Sequence, residues 1–552
     1  MADHPVTNIG KASLEPKEGA IATSSFESVE QTLFKSLDTD GQGLVSKSYM
    51  LSKFEGMGIL RDDPRLQEGF SLLDQNPNPH MDLEEFSEFS RTRPRLVRKT
   101  LEGGMAIPDF QDFCNKITEI YNLLKNEKGG KVADYIPQLA RVNPDQFGVS
   151  ICTVDGQRFS IGDSETFFCS QSSCKPVNYC LALEDREEDK VHQHVGHEPS
   201  GRGFNELTLN TAGLPHNPMI NAGAIMCCSL LKPELPLADR FEYVMDMFAK
   251  LAGHQQPRFN NSVYLSEKAT ADRNFALGYF MREKQAFPEG ADLTEVLEFY
   301  FQCCSIEVTS SMMATVGATL ASAGICPTTD EKILKPEVVK NCLSLMSSCG
   351  MYDFSGEFAF KIGLPAKSGV SGVVMVVIPN LMGICIWSPR LDPIGNSVRG
   401  TKFCQELVKH FNFHTFDSLI HNTDKVDPRM RKFKQMGANV SDLLWAASQG
   451  DLNGIQQMLA EGLSINVANY DGRTPLHLAA SEGHHHLIEY FASQDLEVNA
   501  VDRWGQTGLD DAMRHHHKHV VELLLSLGAK SGADLSQSMT YQGQREYGVP
   551  VY

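Results

Sequence analysis

The sequence predicts an α+β chain in three parts: a mixed central domain between an N-terminal helical domain and a C-terminal all-α stack. Three observations carry that reading. Hairpin signals at Gly148 to Ile161 and Val373 to Trp387 enclose a mainly helical stretch, so one sheet is built from both ends of a single segment. Leu443, Leu476 and Leu509 recur at a step of 33, as do Ala446, Ala479 and Ala512, the mark of stacked helical repeats. Two acidic loops begin 36 residues apart, at Asp38 and Asp74, within helix-compatible sequence.

Bulk properties narrow the function classes. The 552 residues suffice for roughly three or four domains. With 69 acidic and 50 basic residues the net charge is −19, which excludes nucleic acid and anionic membrane surfaces as primary partners, since phosphate needs local positive charge. No uninterrupted apolar run reaches the roughly 18 residues of a membrane span. The first thirty residues hold no Arg and no apolar core, so neither a signal peptide nor a presequence is expected and the chain reads as cytoplasmic. Fourteen Cys between Cys114 and Cys404, with no C-x-x-C, read as buried reduced thiols.

Residues 1–24 are expected to be disordered and residues 25–118 to form an EF-hand-like helical domain. In its second loop Asp74, Asn76, Asn78, Asp82 and Glu85 occupy positions 1, 3, 5, 9 and 12, which supply oxygens to calcium. Pro79, however, replaces the glycine of the sharp turn. The first loop keeps Gly43 but has Tyr49 where the bidentate carboxylate belongs. A structural or dimerising role is therefore expected in place of calcium binding.

The central domain spans 119–420. After its first hairpin comes Ser170-Gln171-Ser172-Ser173-Cys174-Lys175-Pro176. Ser172 and Lys175 share one side of a turn, and a buried lysine of lowered pKa can take a serine proton. Pro176 fits only in a first helical turn, which sets Ser172 at or near the N-cap, where free amides suit a developing oxyanion. Lys367-Ser368-Gly369 precedes the closing strand. There a second lysine can hold Lys175 neutral, and the amides that follow can line an oxyanion hole. S-x-x-K followed by K-[ST]-G is the arrangement of serine β-lactamases and penicillin-binding proteins.

Further motifs define a closer resemblance. Tyr135-Ile-Pro-Gln-Leu, Gln171-Ser172-x-x-Lys175-Pro176, His216-Asn-Pro-Met-Ile-Asn221-Ala-Gly-Ala, Ser266-Glu267, Gly350-Met-Tyr352-Asp-Phe-Ser-Gly356 and Lys367-Ser-Gly-Val370 resemble the serine-dependent glutaminases, in particular the animal kidney and liver type. That resemblance implies a β-lactamase-like catalytic domain hydrolysing L-glutamine to L-glutamate and ammonia, without metal or organic cofactor. It implies tetramers activated by inorganic phosphate, and a mitochondrial matrix location as the alternative to cytoplasm. It makes Ser172 the acylated nucleophile, Lys175 its base and Tyr352 a proton relay, with Lys367 beside them. Amides of Ser172 and Val370 form the oxyanion hole. Glu267 pairs with the substrate ammonium, Asn221 and Asn274 take its carboxylate, and Tyr135, Gln171 and Tyr300 complete the pocket. Gly201 to Leu209 resembles the family's gating loop, keeping Phe204 and Leu207. Thr208 and Phe280 depart from it, where phenylalanine and tyrosine are common.

A basic linker at 421–439 precedes the repeats at 440–530, and a disordered tail is expected at 531–552. Asp471 to Ala479 resembles the ankyrin repeat, which implies a protein partner; the third copy is degraded, with Gly508 for Pro475 and His516 at the Gly483 position. His192-x-His194-x-x-His197 reads as a solvated helix end in preference to a metal site, and Cys174 as a packing thiol. Two other readings compete with the glutaminase one: a penicillin-binding-type acyl-enzyme, and a non-enzymatic ankyrin scaffold around an inactive central domain.

Overall fold

The computed structural model describes residues 29–201, 206–419, 425–430, 432–460 and 463–536. The tails at 1–24 and 537–552, Phe204, and part of the linker lie outside the described residues.

Both hairpins form, and with one further strand they make a single five-stranded antiparallel sheet. Its strands are β1 (Gly148–Thr153), β2 (Arg158–Gly162), β3 (Ala366–Gly369), β4 (Val373–Ile378) and β5 (Met382–Trp387). They are ordered β2-β1-β5-β4-β3, with Ile384 opposite both Ile151 and Val376. Lys367-Ser368-Gly369 thus forms an edge strand itself, instead of merely preceding one. The second hairpin turns at Asn380, whose φ of +60° is the left-handed conformation asparagine tolerates.

The near-continuous apolar runs of β4 and β5 follow from burial on both faces. Val373, Met375, Val377, Cys385 and Trp387 join the core of the helical insert, whereas Val374, Val376, Ile378, Ile384 and Ile386 join a second core. The first face is crossed by α4 (Ser310–Ala321), the other by α1 (Phe110–Leu124) and α5 (Val398–His410). A methyl group on Gly383 would stand 2.2 Å from the Ala318 nitrogen, so α4 can lie on β5 only because that position is glycine. Helix α1 crosses the expected domain boundary at 118/119 and belongs with the sheet, since Phe113, Ile117 and Ile120 pack there.

In the N-terminal domain Val45–Ser46 pairs with His80–Met81, bringing the two acidic loops side by side. The carboxylates of Asp38, Asp74, Asp82 and Glu85 are engaged within the protein. Both oxygens of Asp74 accept from Arg61 Nη2, at 2.6 and 2.7 Å, and Glu85 closes a capping box with Asp82 while accepting from Asn76. This domain grips the first hairpin: Asp155 accepts from Lys99 Nζ and the Ala106 amide, each at 2.8 Å. Gln157 bonds both the Ile107 amide and its carbonyl at 3.0 Å.

The C-terminal stack has its own core, including Leu443, Leu476, Leu509, Ala446, Ala479 and Ala512. Its first helix, Lys432–Gln449, starts inside the segment read as linker, because no proline follows Pro428 before the repeat. Residues 532–536 form a helical turn instead of disordered tail, tied by the Gly532 amide to Asp510 at 2.8 Å. His516 adopts φ +61°, the left-handed conformation Gly483 takes one repeat earlier at +79°, so the degraded repeat keeps the turn at a cost in strain.

Candidate active site

The site begins where the short strand Phe168–Cys169 ends. This strand belongs with Arg258–Phe259 and Ile306–Val308 in a second sheet that the sequence did not reveal. The Ser170 amide donates to Ile306 O at 2.7 Å, and Gln171 then turns the chain sharply at φ +48°. Gln171–Cys174 is a 3-10 turn, and helix α2 (Lys175–Asp185) follows directly. Ser172 therefore sits inside the 3-10 turn and is not the N-cap. The cause is Pro176: it has no N–H for the Ser172 carbonyl, so the Lys175 amide takes that carbonyl in the tighter i→i+3 pattern.

Strand β3 runs against this turn. A methyl group on Gly369 would stand 3.0 Å from Ser170 O and 3.4 Å from Ser173 N. Glycine lets the strand approach closely, bringing Val370 to the edge of the site.

Two amines are buried here. Lys175, 1% exposed, donates to Asn221 Oδ1 at 2.7 Å, and burial pulls its pKa down to about 8. Lys367 is fully buried and donates to Ser368 O at 2.6 Å and Gly350 O at 3.2 Å. Burial first, and then the charge of Lys175, hold it well below the ordinary lysine range. The expected influence is that of Lys367 on Lys175; what acts is the reverse, Lys175 lowering Lys367, while Lys175 is itself lowered by burial.

Tyr352 lies between these groups with φ +55°. Its ring centroid is 4.6 Å from Lys367 Nζ. Burial raises the phenol, and the nearby Ser172 hydroxyl works against that rise. Tyr352 also lines a cleft of about 410 Å³ shared with Gly201, Asn217, Ile220, Cys349 and Asp353. Of the expected gating loop, Gly201 thus borders the cleft, and Leu207 is 49% exposed.

On the opposite side Glu267 Oε1 accepts from Tyr135 Oη at 2.6 Å and from Gln171 Nε2 at 3.0 Å. Tyr135 Oη also reaches Gln171 Oε1 at 3.3 Å. Burial raises the Glu267 carboxyl, and these two donors oppose it. Asn221 Nδ2 donates to Asn274 Oδ1 at 3.3 Å. The sequence candidates therefore assemble in linked groups: Ser172 with Tyr352 and Lys367; Lys175 with Asn221 and Asn274; Tyr135 with Gln171 and Glu267. Tyr300, on α3 (Leu293–Cys304), is buried beside the Cys304 thiol, and none of these bonds includes it. Gly350, which accepts from Lys367, and Ser355, which bonds Tyr352 O and the Met351 amide, lie within the motif around Tyr352 but were assigned no role there, and Asn396, which donates to the Met351 carbonyl, lay in no motif.

Among the described residues no group of three or more His, Cys, Asp or Glu could hold a metal ion. The histidine run is not a solvated helix end. His192 bonds Val195 O at 2.9 Å and Tyr179 Oη at 2.8 Å, His194 bonds Ala286 O at 2.7 Å, and His197 stacks on His192. All fourteen cysteines are buried free thiols. No helix among the described residues is long and apolar enough to cross a membrane.

Comparison with known proteins agrees with this geometry. Residues 130–416 match the glutaminase family model, 443–537 a model of three ankyrin repeats, and 29–108 an EF-hand domain. The mitochondrial liver isoform of glutaminase from Mus musculus is 44% identical over 445 residues, covering 80% of this chain and 74% of that protein. A glutaminase from Nostoc sp. is 44% identical over 304 residues, covering 55% of this chain and 90% of that one. The crystal structure of Mglu in its L-glutamate binding form matches with TM-score 0.52 and 37% identity, covering 56% of this chain and 69% of that one.

Proposed function

This chain belongs to the glutaminase family and hydrolyses L-glutamine to L-glutamate and ammonia, and on that premise we propose that the reaction runs through an acyl-enzyme on Ser172. The observation that carries the proposal is the setting of Ser172: its hydroxyl beside the Tyr352 phenol, one turn from a lysine of lowered pKa, with a second buried lysine behind the tyrosine. Ser172 Oγ attacks the side-chain amide carbon of glutamine as its proton passes to neutral Lys175. The oxyanion forms against the amides of Ser172 and Val370, a donor pair of a kind that contributes roughly 3 kcal/mol each. The C–N bond then breaks, the returned proton leaves with ammonia, and water repeats the sequence on the ester to release glutamate and free serine. Tyr352 relays the returned proton from Lys175 to the leaving nitrogen. Lys367, neutral beneath the ring, keeps positive charge from accumulating beside Lys175.

Recognition follows from charge. Glu267 takes the substrate ammonium, Asn221 and Asn274 its α-carboxylate, and Tyr135, Gln171 and Tyr300 close the pocket. No cofactor enters this scheme. Tetramers, activation by inorganic phosphate, a protein partner on the ankyrin stack, and a mitochondrial location like that in the names of the mouse and rat relatives complete the proposal.

The test is release of ammonia and glutamate by the wild type and Ser172→Ala side by side, with and without phosphate. Acid-quenched wild type should also carry a glutamyl adduct on the peptide containing Ser172 by mass spectrometry. Turnover by Ser172→Ala above a thousandth of wild type would remove the acyl-enzyme.

A further inference from the structure

Tyr352 holds a backbone conformation that a non-glycine residue adopts only under constraint. Something must impose it. Asn396 donates from Nδ2 to the carbonyl of Met351, at 3.2 Å. Ser355 Oγ donates to Tyr352 O at 2.6 Å and accepts from the Met351 amide at 2.9 Å. The peptide units on both sides of the Tyr352 Cα are thereby fixed by two side chains from different segments.

The Asn396 side has the firmer foundation. Asp392 Oδ1 accepts from the amides of Ile394, Gly395 and Asn396, at 2.9, 2.9 and 3.0 Å. The Asp392 amide returns a bond to Asn396 O at 2.8 Å. Leu391 exchanges two backbone bonds with Lys131, at 2.7 and 3.0 Å, four positions before Tyr135. A methyl group on Gly395 would stand 3.7 Å from Tyr352 Cε2 and 4.0 Å from Val370 Cγ1, so this loop lies against the ring as well as the backbone.

Asn396 is not there for stability alone. It is wholly buried, and among the described residues its Oδ1 has no hydrogen-bond partner. Exchanging O and N would set that oxygen against the Met351 carbonyl, so the orientation is forced. A buried acceptor left unmet is a cost that an apolar residue would avoid.

We infer that Asn396 is a positioning residue: its amide on the Met351 carbonyl, with Ser355 on the other side, holds the strained Tyr352 so that its phenol faces Ser172. The inference rests on the reading of Tyr352 as proton relay. Asn396 touches neither Ser172 nor the pocket's charged groups, so it acts on the chemical step and not on substrate recognition.

A double-mutant cycle tests it, with kcat and KM for glutamine measured on the full chain for wild type, Asn396→Ala, Tyr352→Phe and the double variant. The expected result is a fall of at least tenfold in kcat for Asn396→Ala with KM within twofold. In the Tyr352→Phe background the same change should cost less than twofold, because the hydroxyl it positions is gone. Equal losses in both backgrounds, or a rise in KM at constant kcat, would overturn the clamp and leave the Tyr352 reading standing. Wild-type kcat in Tyr352→Phe would remove that reading and the clamp together. Should Asn396→Ala give no folded protein, the cycle is run with Ser355→Ala, for which the same split and the same non-additivity are expected and the same outcomes overturn it.

Discussion

At the scale of single residues the site spends stability to hold charges in awkward places. Lys175 is held at about 8 against 10.5 in the open. The penalty is on the order of 3 kcal/mol below pH 8 and fades as pH rises toward 10.5, where the unfolded chain also loses its proton. Lys175→Met should therefore raise the midpoint of urea unfolding at neutral pH and abolish turnover, the trade expected of a working base. Activity carries the same signature, since only neutral Lys175 can accept the serine proton. Log kcat/KM for glutamine should climb with a slope of about one below pH 8 and level off above it. A flat profile from about pH 6 to about pH 9 would exclude Lys175 as base. Glu267 runs the other way: burial raises its carboxyl, so it favours folding at low pH and opposes it as pH rises through its folded value. Glu267→Gln should stabilise the protein slightly at neutral pH. It should raise KM by about tenfold to a hundredfold with a smaller change in kcat, as expected where one carboxylate answers one ammonium.

At the scale of elements, the decisive contact is β3 on the Gln171–Cys174 turn. In Gly369→Ala the new methyl would meet Val373 Cγ1 at 2.8 Å and Ser170 O at 3.0 Å. The strand must retreat, carrying the Val370 amide with it. Unfolding free energy should fall by about 1–3 kcal/mol, and kcat by a factor of about 10² if that amide is an oxyanion donor; unchanged kcat would take Val370 out of the hole. Elements of this kind mark the limit of what the sequence discloses. The two hairpins were legible because period, length and turn residues agree, as at Asp155-Gly156 and Pro379-Asn380. Ser172 and Lys175 were legible from their spacing on one turn, and Lys367 because S-x-x-K followed by K-[ST]-G resembles the β-lactamase arrangement. The strands Phe168–Cys169 and Arg258–Phe259 were not, since two residues have no period to read. Nor was Asn396, whose contribution lies in one long-range hydrogen bond to a backbone carbonyl that any residue could offer. The position of Ser172 within a 3-10 turn could have been deduced, because the missing N–H of Pro176 dictates it.

At the scale of the whole molecule, the contacts divide the chain into two cooperative bodies. The N-terminal domain has its own core, yet it is bound to the sheet through the first hairpin: Lys99 and the Ala106 amide on Asp155, and both Ile107 backbone groups on Gln157. These bonds are buried or partly buried and hold the turn between β1 and β2, so the N-terminal domain should unfold with the catalytic core. The repeats share their own separate core, and such stacks derive stability from nearest neighbours. Calorimetry on the full chain should thus show two transitions. L-glutamate at about a hundred times its dissociation constant should stabilise only the catalytic one, by about 2.7 kcal/mol. Calcium should move neither, because Asp74 is already held by Arg61 and Glu85 by its own cap. A rise of the catalytic transition with calcium would mean that the ion displaces those internal partners and that the acidic loops communicate with the site through Asp155. A single transition shifted as a whole by glutamate would mean instead that the repeats are coupled to the catalytic core, and the ankyrin stack would then have to be treated as part of the enzyme's allosteric machinery.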